Sequence, residues 1–243
     1  MKIHTLFTPQ SVDELYFAGK TTVVIDVLRS STTILTALQN GAREVIPVNS
    51  LEFAMKVSGN AFGGQTLLGG ERNTKKIEGF NLGNSPLEYT ENAIRGKSVI
   101  LFSSNGTGAI IKAKYSEKLF VCSFNNIEAI ANYLTKINND VEILCSGSNG
   151  MFSLEDSVCA GNLIDLLEKK ELNLTYSDAS ISSKILFDNY KNDLLNMMKN
   201  SEHGKKLIKY GFEKDIELAA EVGIYDNIPY YLTGVIKLLN RNS

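Results

Sequence analysis

The chain of 243 residues is poor in the residues on which several classes of site depend. It has three cysteines and none stands in a C-x-x-C pair, which argues against a disulfide framework and against a cysteine zinc site. It has two histidines, His4 and His203, so a histidine-based catalytic triad or a zinc site with several histidines is poorly supplied. Candidate functional groups must therefore be sought mainly among carboxylates, hydroxyls and basic side chains.

Long apolar runs and a large excess of one charge are also missing. No apolar run approaches the roughly 20 residues of a membrane-spanning helix, and the first residues lack the apolar region of a secretory signal. We therefore expect a cytoplasmic protein with no membrane partner. The formal net charge of -2 creates no global positive field, so we expect no nucleic-acid partner, although a local basic cluster could still bind a small anion.

Four familiar motifs of phosphate and nucleotide enzymes are absent. No cysteine is followed by arginine at the C-x5-R spacing of cysteine phosphatases, and Asp26 does not begin the D-x-D motif of haloacid-dehalogenase-type phosphatases. The phosphate-binding loop G-x-x-x-x-G-K-[ST] and the dinucleotide-binding motif G-x-G-x-x-G do not occur either. These families are therefore excluded as models for the chain.

Short runs of β-branched and apolar residues recur along the chain. They read TTVVID, EVIPV, TLLGG, SVILFSS, KLFVCSF and VEILCSG, and most lack strict alternation, as is typical of strands buried on both faces. Between several of them stand the helical patterns TTILTALQNG, NSPLEYTENAIRG, NIEAIANYLTKIN and SLEDSVCAGNLIDLLEKK. This alternation predicts an α/β fold with three layers, α/β/α, and a largely parallel or mixed sheet.

Capping residues set the expected ends of two of these helices. After about residue 172, alternating strand and helix patterns give way to mainly helical patterns, and this change divides the chain. The first helix should end at Gly41, and the second should begin at Ser85 with Pro86 in its first turn and end at Gly96. Residues 1–172 should form the α/β core. Residues 173–243 should form a mainly helical C-terminal segment packed on that core, with breaks near Gly204 and Gly211 and with IPYYL as the one possible strand.

Hydroxyl, amide and glycine residues follow three of the predicted strands. Ligands of a parallel sheet bind at the carboxyl ends of its strands, and free N–H groups at helix N-termini attract anions. The alternative is that these residues only cap helices and form turns, which they commonly do. The candidate substrate-binding residues in these loops are Arg29, Ser30, Ser31, Thr32, Ser104, Asn105, Gly106, Thr107, Ser148 and Asn149.

Three acidic residues accompany these loops. Asp26 ends one strand, Glu71 ends another, and Asp156 stands near the start of a helix. Mg²⁺ binds one or two carboxylates and keeps waters and phosphate oxygens as its other ligands, so the three are candidate metal ligands. The alternatives are a turn that satisfies Asp26 and a helix cap formed by Ser153 with Asp156.

The longest polar interruption runs from Gly69 to Tyr89 and contains Glu71, Arg72, Lys75 and Lys76. A loop of this length without structure of its own is uncommon and is often functional. We expect an ordered loop that faces the substrate, with Arg72 and Lys75 or Lys76 as binding groups. The alternative is a solvated connection.

Four motifs, taken together and in order, resemble the 2-phosphosulfolactate phosphatases. They are VVIDVLRSSTTILTALQNGA, GGERNTKKIEGFNLGNSPLEY, SSNGTGAI and GSNGMFSLEDSVCAG, and HGKKLIKYGFEKDIELAAEVGIYDNIPYY is similar to the C-terminal segment of that family. The resemblance implies an α/β fold peculiar to the family, a Mg²⁺ cofactor and a role in coenzyme M biosynthesis. It also implies hydrolysis of 2-phospho-3-sulfolactate to sulfolactate and phosphate.

With the resemblance, the carboxylates and Arg29 take expected roles. Asp26, Glu71 and Arg29 are the candidate catalytic residues, and Asp26, Glu71 and Asp156 the candidate metal ligands. Attack on phosphorus by an activated water and attack by Asp26 itself both remain open. A non-catalytic binder of a phosphorylated metabolite and a phosphotransferase with the same site are the alternative functions. We expect the protein to form a homo-oligomer, as a dimer.

Overall fold

The computed structural model describes residues 1–60, 66–170 and 173–239. Within them a mixed sheet of eleven strands has the order β5-β4-β6-β3-β11-β10-β7-β2-β8-β1-β9. The strands are β1 Lys2–Leu6, β2 Thr21–Ile25, β3 Glu44–Val48, β4 Thr66–Arg72, β5 Lys75–Lys76, β6 Ser98–Phe102, β7 Lys118–Cys122, β8 Val141–Cys145, β9 Thr175–Tyr176, β10 Pro229–Leu232 and β11 Val235–Leu238.

Helices cover both faces of this sheet. They are α1 Ser30–Gln39, α2 Leu51–Asn60, α3 Glu91–Ile94, α4 Gly106–Lys112, α5 Ile127–Ile137, α6 Leu154–Glu168, α7 Asp178–Tyr190, α8 Leu194–Asn200, α9 Glu202–Lys209 and α10 Glu213–Ala219. None of those helices combines the length and the apolarity needed to cross a bilayer, as far as the described residues extend.

Alternate residues of the central strand β2 enter two different apolar cores. Val23 and Ile25 pack with residues of α5 and α6 on one face, while Val24 packs with residues of α1 and α4 on the other. All three side chains are fully buried, which is why this strand reads as a continuous apolar run. The prediction of a three-layer α/β fold is confirmed.

The sheet contains two groups of parallel strands, separated by an antiparallel hairpin. β7, β2, β8, β1 and β9 form one group, and β4, β6 and β3 form the other. The hairpin β10–β11 lies between them, antiparallel to both β7 and β3. Each of these two outer pairings consists of one residue pair, Tyr230 with Phe120 and Ile236 with Val45, so the sheet is weakly paired on both sides of the hairpin.

Several details of the predicted elements were wrong. The second predicted helix is a 3-10 turn, Pro86–Glu88, followed by a new start at Thr90, so Ser85 does not begin one continuous helix. Gly204 lies inside α9, and the break is at Ser201, whose side chain caps that helix. The prediction at Gly41 is confirmed by its φ of +88°, and the break at Gly211 by its φ of +83°.

The C-terminal segment supplies more of the sheet than its sequence indicates. IPYYL forms β10, as predicted, but β9 and β11 were missed, as was β1 at the beginning of the chain. The short strand β9 pairs with only two residues of β1, so its sequence carries little signal. The predicted division of the chain after residue 172 falls at residues 171–172, which lie outside the described residues.

Candidate active site

The loops after β2, β6 and β8 lie together, as predicted. The Ser30 hydroxyl donates to Ser103 Oγ at 2.8 Å, which joins the first two loops. The backbone N–H of Asn149 donates to Asn105 Oδ1 at 3.0 Å, which joins the second and third. Three reversals of strand direction, at β7/β10, β10/β11 and β11/β3, separate β2 from β6, so in a flat sheet the carboxyl ends of β2 and β6 would lie at opposite edges. We infer that strong coiling at the weakly paired hairpin brings them together.

A pocket opens where these loops meet the turn between β4 and β5 and helix α9. Eight of its lining residues were predicted from the sequence: Asp26, Arg29, Ser30, Glu71, Ser104, Asn105, Ser148 and Asn149. The sequence interpretation missed six others: Leu28, Asn73, Thr74, Asn84, His203 and Lys206. The long polar segment from Gly69 to Tyr89 therefore does face the pocket, through residues at both of its ends.

Asp26 is a buried carboxylate at the floor of this pocket. Its backbone N–H donates to Ser31 Oγ at 2.9 Å, and its carboxylate accepts hydrogen bonds from Ser30. Burial raises the pKa of Asp26 to about 6, and the nearby carboxylates of Glu71 and Glu155 also raise it, while the Ser30 hydrogen bonds lower it. The carboxyl group therefore changes from neutral to ionised close to neutral pH.

Glu71 is held at the end of β4 by two backbone donors. Its Oε2 accepts from Thr74 N at 2.6 Å and its Oε1 from Ser104 N at 2.8 Å. Asn73 and Thr74 form the two-residue turn between β4 and β5, with φ values of 55° and 76°. Such a turn requires positive φ at both positions and favours Asn-Gly, so a β-branched threonine at the second position is strained.

Arg29 lines the pocket, but its charge already has a partner. Its Nη1 donates to Asp215 Oδ2 at 2.7 Å and its Nη2 to the Thr74 carbonyl at 3.2 Å, while the guanidinium lies 4.3 Å from the ring centre of Phe212. Asp215 also accepts from Ser85 Oγ at 2.7 Å. Both members of the ion pair are almost fully buried. Arg29 thus joins the loop after β2 to the C-terminal helices.

Four loop residues that were predicted to bind substrate do not line the pocket. The Ser31 and Thr32 hydroxyls are used inside the loop after β2, by Asp26 N and by the Val27 carbonyl. Thr107 is bonded to Ser103 in the same way. Gly106 lies directly against Asp26 and Ser30. The hydroxyls of Ser31, Thr32 and Thr107 are thus bonded within their own loops, although neither α1 nor α4 has a side-chain cap at its N-terminus.

The predicted basic residues Arg72 and Lys75 are exposed and do not line the pocket. Lys75 Nζ lies 5.3 Å from the ring centre of Tyr210, and the Lys76 side chain donates to the Asn81 carbonyl at 2.7 Å. Strand β5 turns back along β4 immediately after Thr74, and neither Lys75 nor Lys76 on that strand is among the residues that line the pocket.

Asp156 is placed differently from the other two predicted metal ligands. It is 1 % exposed and does not line the pocket. Its Oδ1 accepts from Val27 N at 2.9 Å, and its Oδ2 accepts from Ser146 Oγ at 3.1 Å and Gly147 N at 3.2 Å. Burial and the nearby Asp26 hold the pKa of Asp156 well above its usual range. Its carboxylate therefore ties together the loops after β2 and β8.

Asp26 and Glu71 are the two carboxylates of the pocket that could bind a divalent cation. In the part of the chain that the structure describes, no three His, Cys, Asp or Glu side chains cluster in a way that could hold a metal ion. Asp26 and Glu71 nevertheless both line the pocket. Since Mg²⁺ takes only one or two carboxylates and fills its other positions with water and phosphate oxygens, this donor pair fits Mg²⁺.

Known proteins resemble this chain along almost its whole length. The model of the 2-phosphosulpholactate phosphatase family matches residues 6–234. A protein of Caldanaerobacter subterraneus named probable 2-phosphosulfolactate phosphatase is 38 % identical over 237 residues, which cover 98 % of each chain. Proteins with the same name are 41 % identical in Thermotoga maritima, over 90 % of this chain and 92 % of theirs, and 36 % identical in Clostridium acetobutylicum, over 97 % and 100 %.

The chain belongs to the 2-phosphosulfolactate phosphatase family. The match begins at the last residue of β1 and continues through the three loops and α9 to residue 234, so every residue that lines the pocket lies within it. The resemblance noted in the sequence is thereby confirmed. The roles of the individual site residues and the cofactor remain predictions.

His203 and Lys206 bring the C-terminal segment into this pocket. They lie three residues apart on α9 and so share one face of that helix. Burial, with the positive charges of Arg29 and Lys206 close by, lowers the pKa of His203 to about 4, so its imidazole is neutral at neutral pH. The local sequence is that of an ordinary solvated helix, and it carries no sign that these two residues face a pocket.

Gly106 offers a test of the packing around Asp26. A Cβ atom at this position would overlap Asp26 Oδ2 and the Ser30 side chain, whereas a Cβ atom on Gly108, two residues along the same helix, would meet nothing within 4 Å. If Asp26 is catalytic, as predicted, Gly106→Ala should reduce phosphatase activity by about 100-fold, because displacing a catalytic group by about 1 Å has an effect of that size. Steady-state kinetics of both alanine variants measure the difference.

Gly108→Ala is the matched control for that prediction. It should keep full activity and raise the free energy of unfolding by up to about 1 kcal/mol, because alanine is the better helix former. Equal activities of the two variants would show that Asp26 does not need its observed position.

Proposed function

We propose that the protein is a Mg²⁺-dependent phosphatase that hydrolyses 2-phospho-3-sulfolactate, or a similar phospho-hydroxyacid, to the free hydroxyacid and phosphate. The observation that carries the proposal is one pocket in which Asp26 and Glu71 stand beside Arg29, Lys206 and polar loop residues. The names of the relatives support phosphatase chemistry of this class.

In the proposed site Asp26 and Glu71 hold the cation. When bound, Mg²⁺ would supply positive charge against the phosphoryl oxygens and lower the pKa of a nearby water. The two backbone donors to Glu71 fix its carboxylate without occupying the pocket, because they come from the walls at Thr74 and Ser104. Asp156 has no part in this proposal, since it does not line the pocket.

Asp26 also has a chemical role in the proposal. A water attacks phosphorus and loses one proton, the phosphorus–oxygen ester bond breaks, and the leaving oxygen takes a proton from solvent to become the hydroxyl of the product. Asp26, which is ionised above about pH 6, can receive the proton that the attacking water loses. The rival route is direct attack by the Asp26 carboxylate, which gives an aspartyl phosphate that water then hydrolyses.

The proposed function is tested by phosphate release from 2-phospho-3-sulfolactate. We expect release with Mg²⁺, none with a chelator, and recovery when Mg²⁺ is restored. No release from this ester or from 2-phospholactate would contradict the enzyme proposal and leave a binding protein. Release that required an added alcohol or nucleotide acceptor would indicate a phosphotransferase.

Acid quenching after incubation with labelled substrate separates the two routes. The water route predicts no labelled protein at any time. Labelled protein that is lost in Asp26→Asn would show the aspartyl phosphate instead. The predicted dimer and the predicted cytoplasmic location are separate expectations on which neither experiment depends.

A further inference from the structure

Two buried oxygen atoms near the pocket have no hydrogen-bond partner within the described chain. They are Thr74 Oγ1 and Asn84 Oδ1, and the two residues are 3 % and 4 % exposed. Both residues line the pocket. A buried polar atom without a partner is costly, so such atoms in a pocket wall point to a ligand that completes their hydrogen bonds. The hydroxyl can rotate and the amide can flip, so each can present a donor to that ligand.

Lys206 adds a positive charge that the protein leaves uncompensated. It lines the same pocket and forms no salt bridge with any carboxylate in the described residues. Arg29 differs, because Asp215 neutralises it at 2.7 Å. Lys206 is thus the lining cation whose charge remains available to an anion that enters.

Two uncharged groups, His203 and Asn84, line the pocket together with Lys206. His203 lies one turn before it on the same face of α9, and Asn84 enters from the loop that precedes the 3-10 turn Pro86–Glu88. The carboxylates of the pocket, Asp26 and Glu71, belong to other elements, the loop after β2 and the end of β4. The pocket therefore takes its carboxylates from the sheet and its unpaired lysine from the C-terminal segment.

We propose that Lys206, with His203 and Asn84 beside it, binds the negatively charged group of the substrate that is not transferred. This inference rests on the proposed function, in which a phosphoryl group is held near Asp26 and Glu71. The group at Lys206 is then a sulfonate or a carboxylate, because these are the oxyanions that remain on the hydroxyacid product. Helix α9 thereby selects substrates with a second anionic group.

The test compares three phosphate esters that differ in one charged group. They are 2-phospho-3-sulfolactate, 2-phospholactate, which lacks the sulfonate, and the phosphate ester of 2-hydroxyethanesulfonate, which lacks the carboxylate. We expect Lys206→Gln to lower kcat/KM for the first ester by about 10- to 100-fold, as the loss of one charge-assisted hydrogen bond would. The loss should fall mainly on KM, and Lys206→Arg should restore most of it.

The response of the other two esters identifies the group that is bound. If Lys206 holds the sulfonate, Lys206→Gln changes kcat/KM for 2-phospholactate by less than about 3-fold; if it holds the carboxylate, the ester without carboxylate is the insensitive one. Equal losses for all three esters would place Lys206 at the phosphate, and no loss for any would remove it from the site. Either result overturns the inference.

Lys205→Gln is the matched control, because Lys205 is the exposed neighbour on α9 and does not line the pocket. It should leave all three values unchanged. If wild-type protein hydrolysed none of the esters, the proposed function would fail while the subsite could still be judged. Calorimetric binding of sulfolactate, lactate and 2-hydroxyethanesulfonate to wild type and to Lys206→Gln would then show whether Lys206 binds an oxyanion.

Discussion

Replacing Asp26 with asparagine should lower phosphate release by at least about 1,000-fold, since the variant loses both a cation ligand and a proton acceptor. The same change should make the metal-free fold more stable at pH 8, by roughly 2–3 kcal/mol, because it removes a buried ionised carboxylate whose pKa is raised to about 6. Steady-state phosphate release and urea denaturation in the presence of a chelator measure the two effects.

The sign of the stability change follows from the direction of the pKa shift. The folded state favours the neutral carboxyl of Asp26, so its contribution to stability is complete below about pH 4 and is lost as pH rises through about 6. Asp26→Asn should therefore gain stability over wild type above pH 6 and gain little at pH 4. At limiting Mg²⁺, wild-type kcat/KM should rise with pH through the same region, because the cation binds the ionised carboxylate in competition with a proton.

Asp156→Asn is the matched control for this prediction. Both residues are buried aspartates, but the Asp156 carboxylate is bonded to Val27, Ser146 and Gly147 and does not line the pocket. We expect a loss of activity below about 10-fold and an unchanged Mg²⁺ dependence. A loss as large as that of Asp26→Asn, with weakened Mg²⁺ activation, would restore Asp156 as a metal ligand. A destabilised Asp26→Asn would contradict the role of burial.

Asp215 in the C-terminal segment forms a buried ion pair with Arg29. Among single replacements in that segment, removal of the Asp215 carboxylate should destabilise the fold most. Asp215→Ala leaves a buried guanidinium without its counter-charge, so the free energy of unfolding should fall by about 3–5 kcal/mol. It also leaves the Ser85 hydroxyl without its acceptor. Urea denaturation followed by circular dichroism measures the change.

A double variant distinguishes an uncompensated charge from lost packing. Arg29→Met with Asp215→Ala removes both charges, so it should be less destabilised than the sum of the two single variants. Asp188→Ala breaks the exposed pair with Lys191 and should cost less than about 1 kcal/mol. A similarly small effect of Asp215→Ala would show that Arg29 finds solvent or another acceptor.

The sequence predicted the structure correctly where the pattern that indicates it lies within one strand and the loop that follows. The run that ends at Ile25, followed by Asp26 and Arg29, predicted a buried strand and a polar strand end, and both are present. We expected the loops after β2, β6 and β8 to meet because the carboxyl ends of parallel strands share one edge of a sheet. The loops do meet, but β2 and β6 belong to different groups of parallel strands, so that argument does not by itself explain the contact. The hairpin that separates the two strand groups is formed by residues far along the chain, and no local pattern near Asp26 reports it.

The sequence did not show which of several residues of the same type would line the pocket, because tertiary structure decides where each side chain lies. Lys75, Lys76 and Lys206 all stand in polar segments, yet only Lys206 lines the pocket. The direction of Lys75 depends on a two-residue turn with Thr74 at φ 76°, a conformation that a threonine rarely adopts. Asp156 satisfied the composition of a metal site, but its bonds to three backbone or hydroxyl donors are set by tertiary structure.

The position of β10 and β11 near the end of the chain sets the order in which the protein can be assembled during synthesis. Strands β7 and β3 leave the ribosome long before the hairpin that joins them, so until then the two parallel groups have edges that nothing covers. Helix α9 is also made late. The pocket can therefore be complete only after α9 has been released, and a nascent chain that stops short of residue 229 lacks the hairpin that joins the strand group next to Asp26 to the strand group next to Glu71.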